Sequence, residues 1–197
     1  SQCKMHHDEL FSHSIVFGNF VLVITAPFMQ SLLRDPVLFL GLVSFFLLLI
    51  ALPFAFWAAG GSNSSSVVTT LVAVSNFTLA SLLVLRWWQS GHFPISNLYE
   101  SLCFLTWACT LVQLLLERTL PSPLVSTAVT PISLLCIAFA SFALPDRLQE
   151  ASPLVPALRS SWLVMHVSVV MCSYAALLVG SLLSVIVLFK DKNQDFQ

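Results

Sequence analysis

The chain has 197 residues, 57% of them hydrophobic and 9% charged, with a formal net charge of −1. Soluble domains carry roughly 25% charged residues, so eight basic and nine acidic side chains cannot cover a water-facing surface. A soluble enzyme and a disordered chain are excluded, and no basic patch is available for nucleic acid. What remains is an all-α, polytopic bundle of transmembrane helices.

A helix crosses roughly 30 Å of hydrocarbon with about 20 apolar residues. Helices also satisfy their own backbone polar groups, as lipid demands. The first candidate, Ile15–Leu33, is the weakest, because Pro27 interrupts it and only Arg34–Pro36 separates it from the next. It reads equally as a sixth span, an interfacial helix or a targeting segment, although acidic Asp8 and Glu9 precede it where a signal peptide would be basic. Residues 1–36 are therefore set apart as an N-terminal extension from a transmembrane region at 37–197. Five strong spans follow: Val37–Ala59, Val67–Leu85, Leu98–Leu116, Leu124–Leu144 and Trp162–Phe189.

Short connections at Gly60–Ser66 and Glu117–Pro123 carry turn residues, and longer ones lie at Arg86–Asn97 and Pro145–Ser161. Pro53 and Pro131 fall inside spans, where proline shapes a helix. Alternating loops put Lys4, Arg118, Lys190 and Lys192 on one side and Arg34, Arg86, Arg147 and Arg159 on the other. That tie leaves the positive-inside rule silent.

His166 stands five positions into the last span. A helix of about 28 residues measures about 42 Å, more than the hydrocarbon, so His166 is expected near a membrane edge. Ser173, Leu177, Gly180 and Ser184 share its face at 100° per residue. A stripe of small and polar residues predicts a helix contact, so His166 is expected to face protein or a cavity. Two roles stay open: a structural histidine bonded to a neighbouring helix, or an axial haem ligand.

The segment Arg86–Glu100, RWWQSGHFPISNLYE, places Trp87 and Trp88 where an aromatic belt would lie. His92 reads as a solvated loop histidine or a ligand. Arg86 could pair with Glu100 or with an acidic ligand group such as a propionate. His6, His7 and His13 show no metal spacing, and Cys3, Cys103, Cys109, Cys136 and Cys172 are scattered. Neither a catalytic triad nor a nucleotide loop nor a CxxCH motif is present.

The stretch Arg86–Trp107, RWWQSGHFPISNLYESLCFLTW, resembles the signature of the CcsA family of c-type cytochrome biogenesis. The stretch Leu154–Leu188, with its MHVS block, resembles that family's next conserved region. The resemblance runs from about Val37 to Lys190 and implies a protein that handles haem. With a membrane partner of the Ccs1/CcsB type, such proteins carry haem b across the membrane as a transient substrate. They present it, reduced, to apocytochrome c.

The resemblance implies that His166 is a haem axial ligand on the lumenal side, with His92 and Arg86 as further cofactor-binding candidates. It also implies a place in a cytochrome c synthase (haem lyase) complex of a chloroplast thylakoid or bacterial membrane. The family's tryptophan-rich WWD segment and two later histidines are absent from these residues, so the likeness is to the N-terminal portion. A cofactor-free membrane transporter and an assembly scaffold are the alternatives.

Overall fold

The computed structural model describes residues 36–61, 65–120, 122–145 and 160–194, with side chains to residue 188. The expected span Ile15–Leu33 and most of the connection after Pro145 lie outside the described residues. Five helices follow in order: α1 (Pro36–Ala59), α2 (Ser65–Ser90), α3 (Leu98–Thr119), α4 (Pro123–Ala138) and α5 (Ser161–Gln194). The helix of α4 widens into a π-helical turn at Phe139–Ala143. Strands are absent among the described residues, and all five helices are long and apolar enough to span a membrane. The protein is an integral membrane protein of helical-bundle class.

One compact unit runs from Leu40 to Gln197. Within it α3 is central, packing on α2, α4 and α5. The first helix buries a stripe of small residues, Gly41, Ser44, Ala51 and Ala55, with Leu48 among them. Small residues let helix backbones approach where lipid supplies no hydrophobic drive between helices. Ser44 and Ser75 exchange hydroxyl-to-carbonyl bonds of 3.5 and 3.4 Å between α1 and α2. Thr127 Oγ1 donates to the Ala55 carbonyl at 3.1 Å, tying α4 to α1.

A second, apolar cluster joins Ala108 and Cys109 of α3, Val125 and Val129 of α4, and Ala175 and Val179 of α5. Leu116 of α3 and Ile186 of α5 extend it. The later half of α5 thus meets the later half of α3 and the start of α4, so α5 runs parallel to α3. His166 therefore lies at the end where α2 stops and α3 begins. Glu117 lies at the other end.

Two boundaries differ from expectation. Arg86, Trp87 and Trp88 were expected in a loop, yet α2 continues through Ser90. None of these residues opposes helix, and the helix stops where Gly91 takes φ +70°, a left-handed conformation natural to glycine. At the other end α3 continues past Leu116 to Thr119, bringing Glu117 into the helix.

A Cβ at Gly41 would lie 2.7 Å from the Tyr99 hydroxyl, on a ring buried in the core, whereas one at Gly180 would meet nothing within 4 Å. Overpacking a core costs about 1–3 kcal/mol. Gly41→Val should therefore lower the thermal transition of the bundle, followed by circular dichroism in detergent, while Gly180→Val leaves it in place.

Candidate functional site

The segment between α2 and α3 is built around one carboxylate. Asn97 caps α3, its Oδ1 accepting from the Glu100 N–H at 2.9 Å. Glu100 reaches back, and its Oε2 accepts from both the N–H and the hydroxyl of Ser96 at 2.8 Å. This is a capping box displaced by one residue. The other oxygen of Glu100 stands 3.4 Å from Arg86 Nε, in an ion pair with side chains 9% and 0% exposed. The Arg86 guanidinium also lies over the Tyr99 ring, 5.6 Å from its centroid, a cation–π contact.

Between these anchors the chain is held by rings. Phe93 meets Trp87 edge-on at 5.4 Å and Phe104 at 6.0 Å. His92 is half-buried, its Nδ1 lies 3.3 Å from the Phe93 carbonyl, and its own carbonyl accepts from the Ser90 hydroxyl at 3.0 Å. Arg86 and Glu100 thus pair with each other, one of the two arrangements that the sequence leaves open, and together they fix the loop that carries His92.

His166 lies at the same end of the bundle, on α5. Contrary to the expectation of a face turned to protein, it is exposed, and so are Ser173, Leu177, Gly180 and Ser184. The face that packs is the opposite one, carrying Ala175 and Val179. Small-residue periodicity marks a close-contact surface but does not say what meets it. Around His166 stand exposed Trp162, Met165 and Val169. A shallow groove of about 390 Å³, lined by Ser168, Val169, Cys172, Ser173 and Ala176, continues along this face. Among the described residues no group of three or more His, Cys, Asp or Glu is poised to hold a metal.

A second polar cluster lies at the opposite end. Glu117 Oε2 accepts from Thr69 Oγ1 at 2.7 Å, and its Oε1 accepts from Ser126 Oγ at 2.7 Å and from Gln113 Nε2 at 2.9 Å. One carboxylate thereby joins α2, α3 and α4. The signal for it is a polar period within an apolar span: Thr106, Thr110, Gln113 and Glu117 recur every three or four residues.

Removing one partner of a buried ion pair leaves the other charge uncompensated, at about 3–5 kcal/mol. Glu100→Ala should destabilise the bundle by that order in detergent unfolding. The double variant Arg86→Met/Glu100→Leu should recover most of the loss, since an apolar pair of similar volume leaves no buried charge.

These features place the chain among known proteins. Residues 95–197 match the family described as Cytochrome C assembly protein. Cytochrome c biogenesis protein CcsA of Prochlorococcus marinus (strain MIT 9303) is 68% identical over 174 residues, 88% of this chain and 55% of that protein. The CcsA proteins of Synechococcus sp. (strain WH7803) and (strain CC9311) are 69% and 72% identical, over 86% and 80% of this chain and 53% and 52% of theirs. The chain spans about half the length of the curated relatives it matches. Its matched segment contains α3, α4, the Glu100 cap and the His166 helix, and the chain belongs to the cytochrome C assembly protein family.

Proposed function

We propose that this chain handles haem as a membrane subunit of the c-type cytochrome attachment machinery, with His166 as the group that holds the iron. The observation that carries the reading is the position of His166: outward-facing, at a helix end, within the family-matched segment. The family match disfavours the cofactor-free transporter.

A neutral imidazole binds iron through an unprotonated ring nitrogen. In this reading His166 supplies that nitrogen, and Trp162, Met165 and Val169 offer the apolar surface on which a porphyrin can lie. The open face admits a porphyrin where an enclosed helix contact would not. The chain holds and orients the substrate, while porphyrin and incoming thiols carry the chemistry.

Haem b is the form we assign to the substrate. Apocytochrome c is the acceptor and a Ccs1/CcsB-type protein the membrane partner. The membrane is a thylakoid or another cyanobacterial-type membrane, in keeping with the relatives' source. Arg86 is a positioning residue here, because its Nε already faces the buried Glu100 carboxylate and its guanidinium covers the Tyr99 ring. His92 stands on the loop that this pair fixes, at the same end, as a secondary contact for the porphyrin edge.

His166→Ala in the complete protein should strip haem from the purified complex and abolish cytochrome c maturation. Imidazole added to the medium should restore part of both, which a purely structural histidine would not allow. Unchanged haem content and maturation in the variant would remove His166 from the role.

A further inference from the structure

The polar face of α3 runs the length of the bundle. Tyr99, Cys103, Thr106, Thr110 and Gln113 are all fully buried and follow one another every three or four residues up to Glu117. From Tyr99 to Glu117 the rise is about 27 Å at 1.5 Å per residue, close to the roughly 30 Å of hydrocarbon. Such a seam can be helix-packing glue if every polar atom finds a partner in a neighbouring helix. Much of it does. Asn76 donates to Thr110 Oγ1 at 2.9 Å and to the Trp107 carbonyl at 3.0 Å. The Thr106 and Thr110 hydroxyls fold back onto carbonyls one turn earlier.

Four oxygens break this pattern. Gln113 Oε1, Ser133 Oγ and Ser141 Oγ are buried without a protein hydrogen-bond partner. Tyr99 Oη is buried and makes no hydrogen bond of full geometry, with the weakly polar Cys103 thiol near it. Two stand on the seam itself, and the other two on α4 and its π-helical turn, which pack against α3. Gln113 sits one turn inside Glu117, and its amide nitrogen also reaches Thr130 at 3.3 Å. Ser133 is the next polar position on α4. Tyr99 Oη and Ser141 Oγ lie 2.7 and 3.8 Å from one point, the place a Gly41 side chain would take.

Buried polar atoms in proteins are paired, and where protein fails to pair them ordered water does. An unsatisfied group inside hydrocarbon costs several kcal/mol, so four on and beside one seam call for a common partner.

The Glu117 end provides the entrance. A cavity of about 200 Å³ opens there, lined by Ser65, Thr69, Ala73, Glu117, Arg118 and Ser122 among others. It has room for several waters, at about 30 Å³ each. The opposite end is closed by the buried Arg86–Glu100 pair, whose fixed guanidinium opposes the passage of a proton.

We propose that the α3 seam is a hydrated half-channel. Water, and with it protons, enters beside Glu117 and reaches the Tyr99 and Ser141 hydroxyls past the buried oxygens of Gln113 and Ser133. The column stops under the Arg86–Glu100 pair, so the bundle gains internal water without an open leak.

Two cysteines allow a direct test. Cys103 and Cys109 are both 0% exposed, but Cys103 lies on the polar seam and Cys109 in the apolar cluster. Hydroxyl radicals generated by microsecond X-ray pulses label side chains that touch water, including internal water. With the full chain in lipid nanodiscs, Cys103 and Tyr99 should be oxidised several-fold faster than Cys109 is. Ala73→Trp, which fills the entrance without touching the hydrogen-bond network, should bring Cys103 down to the rate of Cys109. Equal slow oxidation of both cysteines in the unsubstituted chain overturns the proposal. An unchanged Cys103 rate in a folded Ala73→Trp variant overturns it as well. Should that variant not fold, Gln113→Leu, which removes one of the unpaired oxygens, is expected to slow Cys103 in the same way.

Discussion

Hydrocarbon offers no hydrogen bonds, and the bundle is arranged around that fact. Backbone polar groups are satisfied within each helix. Side-chain polar groups must then be gathered where other helices can meet them. The third helix carries the largest share of the buried ones, and it takes the centre. The surrounding helices answer with small residues that allow close approach and with hydroxyls and amides that reach it. Apolar side chains such as Phe77, Trp88 and Leu135 turn outward, the reverse of a soluble domain and the expected surface toward lipid.

The two ends of α3 solve the same problem differently. At Glu117 the carboxylate is partly buried and neutral donors from three helices surround it. A cavity opens beside it, lined also by Arg118. At Glu100 the carboxylate is fully buried, and it is balanced by Arg86 as well as by Ser96. A buried pair of this kind gains little over an apolar core but is costly to break. Its effect is therefore on geometry. It holds the end of α2, the start of α3 and the ring-packed loop between them in one arrangement.

Much of this was legible from the residues alone. Five apolar runs of 19 to 28 residues gave five helices, because length in lipid dictates the element. Boundaries were less legible where polar residues continue a helix. Arg86–Ser90 and Glu117–Thr119 extend spans that hydropathy would close, and only Gly91 supplies a hard stop. The Arg86–Glu100 pair was one of two readings, since sequence separation does not show which acidic group an arginine meets. The Glu117 cluster escaped a search for apolar periodicity because its signal is the period of the polar residues. His166 shows the opposite limit. Its stripe was correctly periodic, but periodicity carries no information about whether the stripe faces inward.

Arg86 touches both the loop before α3 and the polar face of α3. A free arginine beside the His166 end would be a natural anion anchor, a role open to any arginine at a helix end. The geometry commits its charge elsewhere: its Nε faces Glu100, and its guanidinium covers the Tyr99 ring. Pulling Arg86 away from Glu100 would strand a carboxylate with no exposed surface, at a cost greater than a surface pair returns. The same residue can instead act twice without moving. Outward, it fixes the loop that carries His92. Inward, its guanidinium stands over the Tyr99 ring at the end of the polar seam, so one fixed charge sets the geometry of both.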